Sequence, residues 1–177
     1  MVNPKNLIVG ILVVSIIFLA GCATDQGSAP GITGRVVSEF ENRVVVTVNG
    51  NEITQEDVTF LKEAFSEQGQ ELSREDVVEQ LVRQRLVLGV ARDRGYFPTS
   101  EEAEAELQSQ LSQQGLTLSR YKERIESQGL AYEGHLNEVK EDIAIHNFLS
   151  AYLEENTPEQ LNSLINRLRE EALILYR

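Results

Sequence analysis

A single run, RVVVTVNGNEIT at residues 43–54, constrains this chain more than any other, because it is a strand with no obvious neighbour. Val44, Val45, Val46, Thr47 and Val48 are β-branched throughout and favour an extended backbone. Asn49-Gly50 follows, a pair in which both residues tolerate positive φ and turn the chain tightly. Almost everything after Thr54 carries helical periodicity. A strand alone leaves its backbone donors and acceptors unpaired, so a partner must exist elsewhere.

The end of the chain offers one. Residues 172–176 (ALILY) are too few for a further helix but suit a short strand. By exclusion, residues 44–48 are expected to pair with residues 172–176, bringing the two ends of the domain side by side. The expected fold is therefore mainly α: a multi-helix domain over residues 43–177, closed by a small two-stranded sheet of its N- and C-terminal strands.

Between the strands the punctuation is regular. Thr54 with Asp57 resembles a capping box and opens a helix to about Glu67, with Val58, Leu61, Ala64 and Phe65 on one face. Ser73 caps a long helix through Arg94. Its stripe of Val77, Leu81, Leu88 and Ala91, widened by Val78, Val82 and Leu86, predicts deep burial. Gly95 ends it and Phe97-Pro98 blocks continuation. Thr99 or Ser100 caps the next helix, which ends at Gly115. A short helix over Leu118–Gln128 precedes a long one from Tyr132 to about Glu155. Thr157-Pro158-Glu159-Gln160 then starts the last helix, with Leu161, Leu164, Ile165 and Leu168 inward.

The first 42 residues read differently. Lys5 precedes an uncharged apolar run, Leu7–Leu19, followed by Ala20-Gly21-Cys22. A basic start, an apolar core and small exit residues describe a secretory signal over residues 1–21. LAGC resembles a lipobox, at which cleavage before Cys22 exposes the thiol for acylation. The run is shorter than the ~20 apolar residues of a spanning helix. Residues 22–42 then form the lipidated Cys and a tether rich in Gly, Ser, Pro and Thr, with a coil reach of ~25 Å. Cys22 is the sole cysteine, so no internal disulfide forms. The expected place is extracytoplasmic, periplasmic or at the cell surface, with the membrane reached through lipid on Cys22.

Charge excludes further classes. The chain has 16 Lys and Arg against 28 Asp and Glu, a net charge of -12, with no basic stripe, so nucleic acid is not expected as a partner. Removal of Lys5 with the signal leaves 15 basic residues against 28 acidic ones, or -13. His135 and His146 share a helix but stand ~16 Å apart along it, too far for one metal. Glu101, Glu102, Glu104 and Glu106 suit a solvated helix start. No calcium loop, nucleophile elbow or phosphate loop occurs, and no metal or cofactor is expected.

The order of motifs resembles the N-terminal chaperone domain of SurA, PrsA and PpiD-type extracytoplasmic folding factors, which is related to the client-binding part of trigger factor. The residues that carry the likeness are VTVNGNEIT, QLVRQRLVLGVARDRGY (80–96), TSEEAEAEL, YKERIESQGLAYEGHLNEVKEDIAI and the closing LINRLREEALILY. Many such proteins insert a parvulin prolyl-isomerase domain before the returning helix. Here Glu155 and Thr157 join those parts directly, so a complete minimal domain without isomerase activity is expected. The resemblance implies binding of non-native polypeptides by shielding of apolar segments, with spontaneous release. Candidate client-binding residues are Phe60, Phe65, Tyr96, Phe97, Tyr121 and Tyr132. Tyr96 and Phe97 lead, because a helix terminus before Pro98 leaves a ring less enclosed. The alternative is an assembly or scaffold lipoprotein that holds one dedicated partner or self-associates as a homodimer.

Overall fold

In the computed structural model, which describes residues 43–153, 155 and 157–177, the valine run does find its partner. Strand β1 (Val44–Val48) is the middle of a three-stranded antiparallel sheet in the order β2-β1-β3. β3 (Ile174–Tyr176) pairs in the register Val46↔Tyr176, Thr47↔Leu175 and Val48↔Ile174. The terminal pairing expected from sequence is present. The sheet exceeds that expectation by one strand, β2 (Asn51–Thr54), with Val46↔Ile53 and Val48↔Asn51.

The reason lies in the turn. Asn49 and Gly50 take φ of 49° and 84°, and positive φ at both central residues gives a two-residue turn that matches the strand twist. Such a turn returns the chain antiparallel, so Asn51 and Glu52 are drawn into a strand despite poor β-propensity. Asn49 has a second task. Its N–H donates to the Leu173 carbonyl and its Oδ1 accepts from the Leu173 N–H, each at 2.9 Å. One asparagine thus shapes the hairpin and fixes the start of β3.

Six helices follow β2: α1 (Gln55–Glu67), α2 (Arg74–Asp93), α3 (Ser100–Gln113), α4 (Leu118–Ser127), α5 (Tyr132–Tyr152) and α6 (Pro158–Glu171). The caps at Thr54 and Thr99 are reciprocal boxes. Each hydroxyl accepts from the N–H three residues on, and the acid there, Asp57 or Glu102, accepts from the threonine N–H. Helix α5 stops at Tyr152, short of the expected Glu155, because Leu153 turns extended with its side chain buried.

Two compact units divide the described residues. The first holds 43–86 and Ser163–Arg177, and the second Val87–Asn162, so α2 and α6 each supply residues to both. In the first unit Val46, Val48, Ile53, Val58, Val77 and Val82 are fully enclosed. In the second, α3, α4 and α5 contact one another, with Ala103, Leu107, Leu111, Ile125, Leu136, Ala144 and Phe148 inside. No helix of the described residues is long and apolar enough to cross a membrane.

One polar atom in the sheet is unsatisfied. Among the described residues the buried Thr47 hydroxyl oxygen has no hydrogen-bond partner. Valine has nearly the same shape and β-propensity, so Thr47→Val is expected to raise stability by ~1 kcal/mol through loss of that desolvation penalty. A higher urea midpoint at unchanged slope is the measurement that checks it.

Candidate functional site

The end of α2 builds an aromatic surface feature in the second unit. Gly95 has φ of 78°, a conformation that favours glycine, and its N–H donates to the Arg92 carbonyl. The Tyr96 N–H reaches back to the Ala91 carbonyl at 2.9 Å, completing a Schellman closure. The chain leaves the helix there, and Pro98 cannot continue it, so Tyr96 and Phe97 are consecutive half-buried rings outside any helix.

Each ring meets a different set of groups. Tyr96 packs edge-on against Phe148 of α5, with centroids 5.7 Å apart and planes at 64°. Phe148 stacks on Tyr152 one turn later, at 5.4 Å and 30°. Phe148 is 1% exposed and Tyr152 36%, so the row runs from a sealed floor to an open rim. Arg94 lies over both Phe148 and Tyr152, its guanidinium carbon 5.7 and 5.3 Å from the ring centroids. Phe97 has Arg92 at 4.6 Å and Lys140 at 5.0 Å from its centroid. Arg92 also donates to Glu141 Oε1 at 2.7 Å, which fixes its orientation. Aromatic pairs of this geometry contribute ~0.5–1.5 kcal/mol beyond burial. Exposed cation–π contacts add ~0.5–1 kcal/mol each.

The charge placement is selective. Residues 87–162 hold six basic side chains against 14 acidic ones, and three of the six, Arg92, Arg94 and Lys140, stand on this aromatic ledge. The ledge is thus an apolar strip with a cationic rim on an acidic unit. It can take up apolar or aromatic side chains. No group of three or more His, Cys, Asp or Glu suited to a metal ion occurs among the described residues.

The other candidate rings fall in different places. Phe60 on α1 is 56% exposed, outside the buried Val58 and Ala64. Phe65, on the same helix, is half-buried. Tyr121 and Tyr132 are 2% and 7% exposed, so neither ring contributes to the open surface. Their hydroxyls explain this position, since a buried phenol needs a polar partner. The Tyr121 hydroxyl meets His135 Nε2, and His135 Nδ1 lies 3.3 Å from Glu138. Tyr132 donates to Glu104 Oε1 at 3.1 Å, and the same oxygen accepts from Lys122 Nζ at 2.8 Å. Burial, reinforced by the Glu138 charge, pushes the Tyr121 phenol up to about 12. Burial and the Glu104 hydrogen bond raise Tyr132 as well, while the bond from Lys122, with that from Tyr132, holds Glu104 below the usual carboxylate range. Both phenols therefore stay neutral at any physiological pH.

Phe148, Tyr152 and the three cations were missing from the sequence-derived set. The spacing of Phe148 and Tyr152, i and i+4 on one helix, was the available signal. Their meeting with Tyr96 and Arg94 has no local trace.

Against this geometry, the SurA-like N-terminal domain profile matches residues 3–149. The chain belongs to the SurA-like N-terminal domain family. A protein named Chaperone SurA from Alkalilimnicola ehrlichii is 27% identical over 145 residues, covering 77% of this chain and 33% of that protein. The chain thus spans about a third of the length of this relative. Within the SurA-like match lie β1, β2, α1–α4 and most of α5, including Tyr96, Phe97 and Phe148. Tyr152, α6 and β3 lie beyond it.

Proposed function

We propose that this SurA-like chain has a chaperone-type function: it binds unfolded or partly folded secreted polypeptides, without catalysis, from a lipid anchor on Cys22. The observation that carries the binding part is the ledge of Tyr96, Phe97 and Tyr152 over Phe148, open on one side and rimmed by cations. Rings held by a helix end and by stacked guanidinium groups are pre-ordered, which lowers the entropy lost when a client side chain packs on them. Contacts of this kind are weak and tolerant of sequence, as a shield for non-native chains requires. The kinship with a protein named as a chaperone supports the same reading. The anchor rests on the apolar run and LAGC, which lie outside the described residues. It implies an extracytoplasmic location and needs no cofactor.

The test follows light scattering as a chemically unfolded model protein is diluted into the chain from residue 23 onward. Dose-dependent suppression is expected, and the double variant Tyr96→Ser/Phe97→Ser is expected to need several-fold more protein for the same effect. A circular dichroism melt confirms that the double variant is folded. Absence of suppression at several-fold excess of the folded wild type overturns general chaperoning and points to one dedicated partner.

A further inference from the structure

The sheet of the first unit has two edges, and they are built differently. On the β2 side the side chains are Asn51, Glu52 and Thr54, polar or charged, with Thr54 committed to capping α1. That is a guarded edge. On the β3 side, Ile174, Leu175 and Tyr176 include no charge and no proline. Leu173, Leu175 and Tyr176 are 63%, 46% and 59% exposed, among the highest values for large apolar residues in the described chain.

The backbone of β3 sharpens the contrast. The Asn49 N–H donates to the Leu173 carbonyl, and the Arg177 N–H donates to the Val45 carbonyl. Because antiparallel strands alternate their bonding direction, residues 173, 175 and 177 face β1, and Ile174 and Tyr176 face away. β3 ends the sheet among the described residues, so the two N–H and two C=O groups of Ile174 and Tyr176 meet no further strand there. The strand is nonetheless held ready. The Tyr176 hydroxyl donates to Glu79 Oε1 at 3.2 Å, and Arg169 donates to the other oxygen of the same carboxylate. Asn49 clamps the opposite end through Leu173.

We propose that the open edge of β3 takes up an extended apolar segment of a non-native polypeptide as a fourth strand of this sheet. The proposal rests on the chaperone-type reading and supplies a binding mode for it, separate from the aromatic ledge. An incoming strand gains main-chain bonds to Ile174 and Tyr176, which are indifferent to its sequence. Its side chains alternate between the face of Leu175 and the face of Ile174 and Tyr176, so alternating apolar segments fit best. Charge selects this occupant over a second copy. The residues of the first unit, 43–86 and 163–177, carry eight basic against 11 acidic side chains, within a chain of net charge -12. A second copy brings like charge to the edge, whereas a neutral or basic segment does not.

The test uses the chain from residue 23 and a fluorescently labelled peptide alternating valine and threonine between terminal lysines, read by anisotropy. Its twin carries N-methyl groups at consecutive central residues, which remove donors from both edges. Saturable binding is expected, weakened about tenfold by N-methylation, as loss of one or two main-chain bonds implies. Leu175→Lys, a charge on an exposed side chain, is expected to weaken binding by a similar factor without unfolding the sheet. Tyr96→Ser/Phe97→Ser is expected to leave peptide binding intact. Equal binding of both peptides, or no binding, overturns strand addition, and suppression of aggregation in the same preparation then leaves the chaperone-type reading standing. A sedimenting dimer that Leu175→Lys dissolves and the peptide does not displace assigns the edge to a second copy and overturns the proposal.

Discussion

Replacing Phe148 by alanine is expected to lower the unfolding free energy by about 3–5 kcal/mol, the range for deleting a fully buried aromatic ring. Phe148 heads the largest fully buried side chains, and it is also the floor of the ledge. Tyr96 meets it edge-on, Tyr152 stacks on it and Arg94 lies above it. Truncation therefore removes both apolar burial and three oriented contacts. The midpoint of thermal unfolding should fall by roughly 10 °C for a chain of this size. Tyr152→Ala shares the stack but leaves a side chain that was already partly in water. It is expected to cost only about 1 kcal/mol. The chain has no Trp, so helical circular dichroism against urea is the suitable probe. Equal losses for the two variants would show that Phe148 is not the floor.

The helices were legible because their signals are local. Thr54 with Asp57 and Thr99 with Glu102 carry their caps within four residues, and Gly95 carries its stop in one. The pairing of β1 with β3 was legible by a different route, elimination, since a valine-rich strand cannot stand alone and ALILY was the remaining candidate. β2 was not read as a strand, because Asn51 and Glu52 are poor strand formers and Thr54 already served as a helix cap. Yet the turn contained the answer: an Asn-Gly pair with positive φ at both positions delivers a returning strand. Local propensity lost to turn geometry. The division into two units left no mark in the sequence, since its boundaries fall inside α2 and α6, where the helical pattern runs on without a linker.

The candidate site divides in the same way. Tyr96 and Phe97 were singled out by their place after a helix stop, and both are half-buried beyond it. Tyr121 and Tyr132 are candidates as rings on helix faces or at helix ends, but Tyr121 with Ile125 and Tyr132 with Leu136 stand at i and i+4, the spacing of a buried face. That spacing was readable. The groups that let their hydroxyls go inside, His135 and Glu104, lie 14 and 28 residues away in sequence and carry no pattern that announces them. The cationic rim was equally hidden, since Lys140 is far from Phe97 along the chain and comes to it only through packing.

The sheet of the first unit yields the second large effect, Val46→Asp. Val46 is fully buried in the middle strand, between Ile53 on one side and Tyr176 on the other. A carboxylate there has no cation or spare donor within the ladder and loses its hydration, a penalty of several kcal/mol that exceeds the loss of the valine itself. The first unit is expected to be strongly destabilised at neutral pH, with a much lower urea midpoint than wild type. The sign of the pH dependence is then fixed. Burial disfavours the charged form and raises the folded-state pKa of the new aspartate above its unfolded value of about 3.9. The protonated acid binds more readily in the fold than the ion. The deficit relative to wild type is therefore smallest below the unfolded pKa, grows as pH rises through the interval up to the folded pKa, and is constant above it. Val46→Asn places a polar group of similar size at the same point without a titrating proton. Urea midpoints across acidic to neutral pH should show a sloping deficit for Val46→Asp and a flat one for Val46→Asn. Parallel flat curves would mean that position 46 reaches water, which would displace β1 from the centre of the sheet and with it the geometry that leaves β3 as an open edge.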